Sequence, residues 1–130
     1  MPILKKEAIN KILLLIISDK EFELDYINII FCSDEYLLNI NKEYLSHDYF
    51  TDIITFDYSE TTISSDIFIS LDRIKENSNE LKISYKSELY RVIIHGVLHL
   101  VGYDDTSDIE KKEMTSMEDF YLDKLQPYLS

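Results

Sequence analysis

The chain has 130 residues, enough for one sizeable core and too few for two, and its 45% apolar share with ten Tyr and six Phe excludes disorder. Thirteen Lys and Arg stand against twenty-five Asp and Glu, and the net charge of −12 excludes a broad basic footprint for a polyanion. Two glycines, where average usage would give roughly nine, exclude a P-loop or dinucleotide fingerprint, and one cysteine excludes internal disulfides, CxxC redox chemistry and cysteine-rich zinc modules.

In chain order, residues 4–18 read as a helix packed on the core. The apolar run 12–17 is far too short to span a membrane, and no small-residue cleavage site follows it. Residues 25–32 are β-branched and aromatic, which predicts a strand with Cys32 as a small buried hydrophobe. Ser33 is placed to cap a helix over 34–45, striped by Leu37, Leu38, Ile40, Tyr44 and Leu45. A polar loop follows with Asp48 and with His47, read as solvated or else as part of a loop near substrate, then a strand over 51–58, a connection over 59–65 and a third strand over 66–71. A short polar helix is expected over 72–80, and Ser84 can cap a further helix over 85–101. Ser107 and Glu110 form a capping box that opens a last helix through Met114, Met117, Phe120, Tyr121 and Leu125, stopped by Pro127. Met114 and Met117, with Tyr26, Tyr44 and Tyr121, are expected to face the core, and the acids of 104–130 to be solvated. The pattern predicts one α+β domain over 1–130, a small mixed sheet of three to four strands packed with helices.

The helix over 85–101 is apolar on most of its circumference, so it should lie in the middle of the domain. At about 100° per residue, Glu88, Arg91, His95 and His99 share one narrow stripe, and a buried helix with such a stripe lines a site. His95 and His99 have the i, i+4 spacing at which two imidazoles bind one Zn²⁺ from a single helix. Gly102 can take the left-handed conformation past the helix end and fold Asp104 or Asp105 back as a third ligand, leaving a fourth position for water. Core histidines often only hydrogen-bond, but the stripe, the glycine and the acidic turn together favour metal.

The run His95-Gly96-Val97-Leu98-His99-Leu100-Val101-Gly102-Tyr103-Asp104-Asp105 resembles the HGxLHLxGYDH signature of the YbeY-type endoribonucleases. Asn41-Lys42-Glu43-Tyr44 with Thr51-Asp52-Ile53-Ile54-Thr55-Phe56 is similar to that family's NxxYR…TDVLSF segment, and Ser65-Asp66-Ile67-Phe68-Ile69-Ser70 to its GDIxIS strand. The resemblance implies a cytoplasmic, single-strand-specific, metal-dependent endoribonuclease of ribosomal RNA maturation and ribosome quality control, with a zincin-like central helix. Its partners would be the ribosomal RNA precursor and the small ribosomal subunit with its proteins, and neither a membrane nor a disulfide partner is expected. The resemblance gives one Zn²⁺ on His95, His99 and Asp105. Asp105 stands where the family has a histidine, which would raise the bound water's pKa and widen metal choice toward Mn²⁺ or Mg²⁺. Leu45 replaces the family's arginine and Ser65 its glycine.

His95 and Arg91 are the catalytic candidates, with Arg91 or Lys42 meeting charge on phosphate unless Arg91 merely pairs with Glu88 or Asp52. Asp52 and Asp66 are expected to fix histidine tautomers or to be strand-end turn residues, and no residue stands out as a general base. Two rivals remain. One is a metal-stabilised ribosome-assembly factor with little catalysis, which Leu45 favours. The other is a zinc peptidase, which would lack its general base because Gly96 follows the first histidine.

Overall fold

The computed structural model describes residues 4–47 and 49–129; Asp48 of the expected polar loop lies outside them. Strands Leu24–Cys32 (β1), Ile53–Asp57 (β2) and Ile63–Ser70 (β3) form one sheet in the order β1-β3-β2, with β1 parallel and β2 antiparallel to β3. That is a mixed sheet of three strands, and helices cover both faces.

Alternation along the strands decides what each face carries. Ile63, Ile67 and Ile69 of β3 point into the main core, where they meet Ala8, Ile12, Leu13, Ile16 and Ile17 of helix α1 (Lys6–Asp19). Helix α4 (Tyr85–Leu100) runs through the same core and buries Leu89, Val92, Ile93, Ile94, Val97, Leu98 and Leu100. Helix α5 (Asp108–Leu125) closes the layer from outside with Met114, Tyr121 and Leu125. The opposite face is covered only by helix α2 (Asp34–Leu45), through Leu37 and Ile40 against Ile54, Phe56 and Phe68. Helix α3 (Leu71–Leu81) follows β3, with Ser70 capping it through Arg73 N–H, and Arg73 ties it to Asp34 of α2 at 2.7 Å.

The expected caps form as the sequence suggested. Ser33 accepts from Tyr36 N–H, Ser84 from Ser87 N–H, and Ser107 with Glu110 makes both halves of a capping box. Two readings change. The third strand begins at Ile63, not 66, because its polar entry is paired: Tyr58 N–H donates to Ser64 C=O at 2.8 Å, and Ser65 Oγ to Phe56 C=O at 2.7 Å. Tyr121 is buried as expected, but Tyr26, on the sheet face that α2 only partly roofs, is 40% exposed, and Tyr44, in the last turn of α2 with only an edge contact to Phe56, is 65% exposed.

Candidate metal centre and its cleft

Both glycines act on α4, by different physics. A Cβ on Gly96 would sit 2.8 Å from Ile53 Cδ1, so glycine there lets the helix press close against β2. Gly102 has φ +106 with nothing near a built Cβ, so its requirement is conformational. Gly102 N–H donates to His99 C=O and Tyr103 N–H to Leu98 C=O, which completes a Schellman closure of α4. The reversal brings Asp105 back over the helix.

There the three expected ligands converge. His95 Nε2 and His99 Nε2 are 3.0 Å apart, and the Asp105 carboxylate oxygens lie 3.4 Å from the first and 3.6 Å from the second. Donors about 2.1 Å from one tetrahedral ion stand about 3.3–3.5 Å from one another, so this half-buried group could hold a metal ion.

A buried ion-pair chain stands beside it. The Glu118 carboxylate of α5, 3% exposed, accepts from His95 Nδ1 at 2.6 Å and from Arg91 Nη1 at 2.9 Å. Arg91 also grips the fully buried Glu88 with Nε and Nη2, both at 2.8 Å. An ionised carboxylate can only accept, so the proton of neutral His95 sits on Nδ1 and its Nε2 lone pair faces Asp105. Burial works to raise the Glu118 carboxyl, but hydrogen bonds from His95 and Arg91 outweigh it and hold the group below the usual carboxylate range. Burial likewise opposes charge on His95, and the bond to Glu118 with the fields of Glu118, Asp105 and Asp52 lifts that imidazole above its ordinary value. Glu88 moves the other way, pushed up by burial despite Arg91.

The ligand group opens onto a cleft of about 510 Å³ that runs beside β2 and also takes in Leu45, His47, Tyr49, Asp52, Asp57 and Leu100. Tyr58 N–H and Asp52 C=O bond β3, so by alternation the backbone groups of Ile53, Thr55 and Asp57 face the open edge of β2. Among the described residues, no Lys or Arg lines the cleft. Asp52 lines it, and burial raises its carboxyl against the opposing pull of His95 and Arg91.

Several expected residues land elsewhere. The three guanidinium nitrogens of Arg91 are taken by Glu88 and Glu118, and the side chain is not part of the cleft lining. Asp66 is bonded to Asn28 and Tyr58 in mid-strand, far in role from any histidine. The tautomer-fixing partner is Glu118, which sequence reading placed in a solvated acidic helix. Its signal was present: Met114, Glu118, Tyr121 and Leu125 fall on one helical stripe, so the carboxylate occupies a core position. No described helix is long and apolar enough to cross a membrane, and Cys32 is a free thiol.

A family model described as "Endoribonuclease YbeY" matches residues 4–126. Curated proteins named Endoribonuclease YbeY are similar to this chain. The one from Cytophaga hutchinsonii is 54% identical over 98 residues, covering 74% of this chain and 68% of the relative. The one from Karelsulcia muelleri is 48% identical over 114 residues, with 87% and 81% covered, and the one from Bacteroides fragilis 44% over 119, with 91% and 86%. The solution structure of a Thermotoga maritima protein superposes with a TM-score of 0.70 at 27% identity, covering 95% of this chain and 82% of the other.

Proposed function

This chain belongs to the YbeY endoribonuclease family, and from that premise we propose that it is a cytoplasmic, single-strand-specific endoribonuclease dependent on one divalent ion. Its proposed substrate is the ribosomal RNA precursor at the 3′ end of the small-subunit RNA, with the small subunit and its proteins as partners and ribosome quality control as the wider task. The observation that carries the reading is the convergence of His95, His99 and Asp105 on one point of an open cleft.

Two imidazoles and one carboxylate suit Zn²⁺, and the carboxylate leaves room for Mn²⁺ or Mg²⁺. When bound, such an ion polarises a phosphoryl oxygen and lowers the pKa of a coordinated water. The chain's own residues do the rest. His95, His99 and Asp105 hold the ion. Glu118 keeps the His95 proton on Nδ1, and Arg91 with Glu88 keeps Glu118 in place. In this reading Arg91 is a positioning residue acting through Glu118, because its donors are already engaged. Asp52, in the cleft with a raised carboxyl, is the group best suited to hold or move a proton there.

Metal analysis of the purified protein, with cleavage of a precursor small-subunit RNA in the presence and absence of chelator, tests the proposal. Chelator-sensitive cleavage is expected. The absence of Lys and Arg from the cleft lining among the described residues and the exposed Leu45 favour a second reading, a metal-stabilised assembly factor. Tight binding to small subunits with the precursor left intact would establish that reading and remove the first.

A further inference from the structure

The loop after α2 is built with more care than a solvated connection requires. Asn41, 1% exposed, pins it at two points: its C=O accepts from His47 N–H at 3.1 Å, and its Nδ2 donates to Tyr49 C=O at 2.9 Å. Between those points the His47 and Tyr49 rings stack at 5.1 Å with 20° between planes, and Tyr49 Oη meets His47 Nδ1 at 3.1 Å. The pair is tethered by these contacts yet not buried, since Tyr49 is 57% exposed. Both rings line the same cleft as His95, His99 and Asp105.

The chemistry of that cleft limits what else can hold an RNA strand. Asp52, Asp57 and Asp105 line it and no described cation does, so its walls give phosphates little attraction. A nucleobase is uncharged and carries a π-face, so stacking on an aromatic ring is a contact that needs no Lys or Arg and adds to those of the metal site and the open edge of β2. Fixing the two rings in advance removes the ordering cost of such a contact. Bases within a duplex are already stacked on their neighbours, so only an unpaired base can use the platform.

We propose that the His47–Tyr49 pair is a base-stacking subsite that takes one unpaired nucleobase of the RNA strand lying in the metal cleft. The proposal rests on the endoribonuclease reading and adds the origin of single-strand selectivity: away from the metal site, the strand is gripped by a base and not by Lys or Arg on its phosphates. Tyr49 is in this sense a specificity residue and takes no part in bond breaking.

The test is binding and cleavage of short single-stranded oligoribonucleotides by the full-length protein and its Tyr49→Leu and Tyr49→Phe variants. Binding is measured in chelator, and cleavage with the ion restored. Tyr49→Leu should raise both Kd and KM about fivefold or more, the loss of one stack, with a much smaller change in kcat, while Tyr49→Phe keeps the ring, loses only the bond to His47 and should lie between wild type and Tyr49→Leu. A strand of abasic residues should bind wild type weakly and be indifferent to Tyr49→Leu. If wild type cleaves single strands and Tyr49→Leu matches it in Kd and KM, the subsite is wrong and the endoribonuclease reading stands. Equal weakening of duplex and single-strand binding also overturns the subsite. Failure of the wild type to bind or cleave any single strand overturns the endoribonuclease reading and the subsite with it.

Discussion

Glu118 is a carboxylate with two cationic or proton-bearing partners and almost no contact with water, so its removal acts on the fold and on the site together. Glu118→Ala leaves Arg91 paired with Glu88 alone, orphans its Nη1 donor and frees the His95 ring. Unfolding free energy should fall by about 1–3 kcal/mol, and metal affinity by roughly 10–100-fold. Glu118→Gln keeps an acceptor and should lie between. Thermal melts and competition against a calibrated chelator measure the two effects separately. Asp105 gives the converse case. At 39% side-chain exposure it contributes little to packing, so with both proteins metal-free Asp105→Ala should melt near wild type, while added metal should raise the wild-type melt and not the variant's. Full metal occupancy in that variant would remove Asp105 from the ligand set. The two residues also differ in how visible they are in the sequence. An aspartate folding back at 104 or 105 is readable because a glycine and a helix end precede the pair, and the resemblance to the family signature singles out Asp105. Glu118 is hidden because a count of eight acids against three bases over 104–130 describes the average of a helix and not its buried stripe.

The two glycines of α4 separate space from conformation. Gly102→Ala forces a Cβ into a left-handed backbone and should cost about 1–2 kcal/mol. Gly96→Ala gains about 1 kcal/mol of helix propensity and displaces only the terminal methyl of Ile53, so it should stay within about 1 kcal/mol of wild type. Urea unfolding of the two variants, with equal m-values, checks the contrast. Gly96→Val goes further: with Thr55 Oγ1 at 3.4 Å and Ile67 Cδ1 at 3.5 Å from a built Cβ, branching has no room. Elements with strong local grammar were legible in the chain: α4 by its apolar circumference, α5 by its capping box, α2 by Ser33. The start of β3 was not, because Ser64 and Ser65 look like loop residues until Tyr58 and Phe56 supply their partners across the hairpin. Likewise Asn41 reads as a polar residue in a helix, and only the tertiary placement of the loop shows what it bonds.

At the scale of the molecule, the net charge of −12 and a cleft without described cations predict weak dependence of RNA affinity on salt. Each phosphate contact with a single strand contributes a slope of about −0.7 in log K against log salt, and a slope shallower than about −1.5 is expected here. Fluorescence titrations from low to physiological salt measure it, and a steep slope would mean that the strand is held by cations the fold does not present in the cleft. Charge was readable from composition, but its meaning needed the cleft, since only the lining shows which charges an incoming strand meets. The placement of the candidate ligands also bears on how an ion would enter and leave. Two donors ride on α4, the most deeply packed helix, while the third sits on the short turn between α4 and α5. The hydrophobic core closes around α4 without using any of the three. An ion held by this set would therefore need only the turn to move for its release, with α4 and the core left in place.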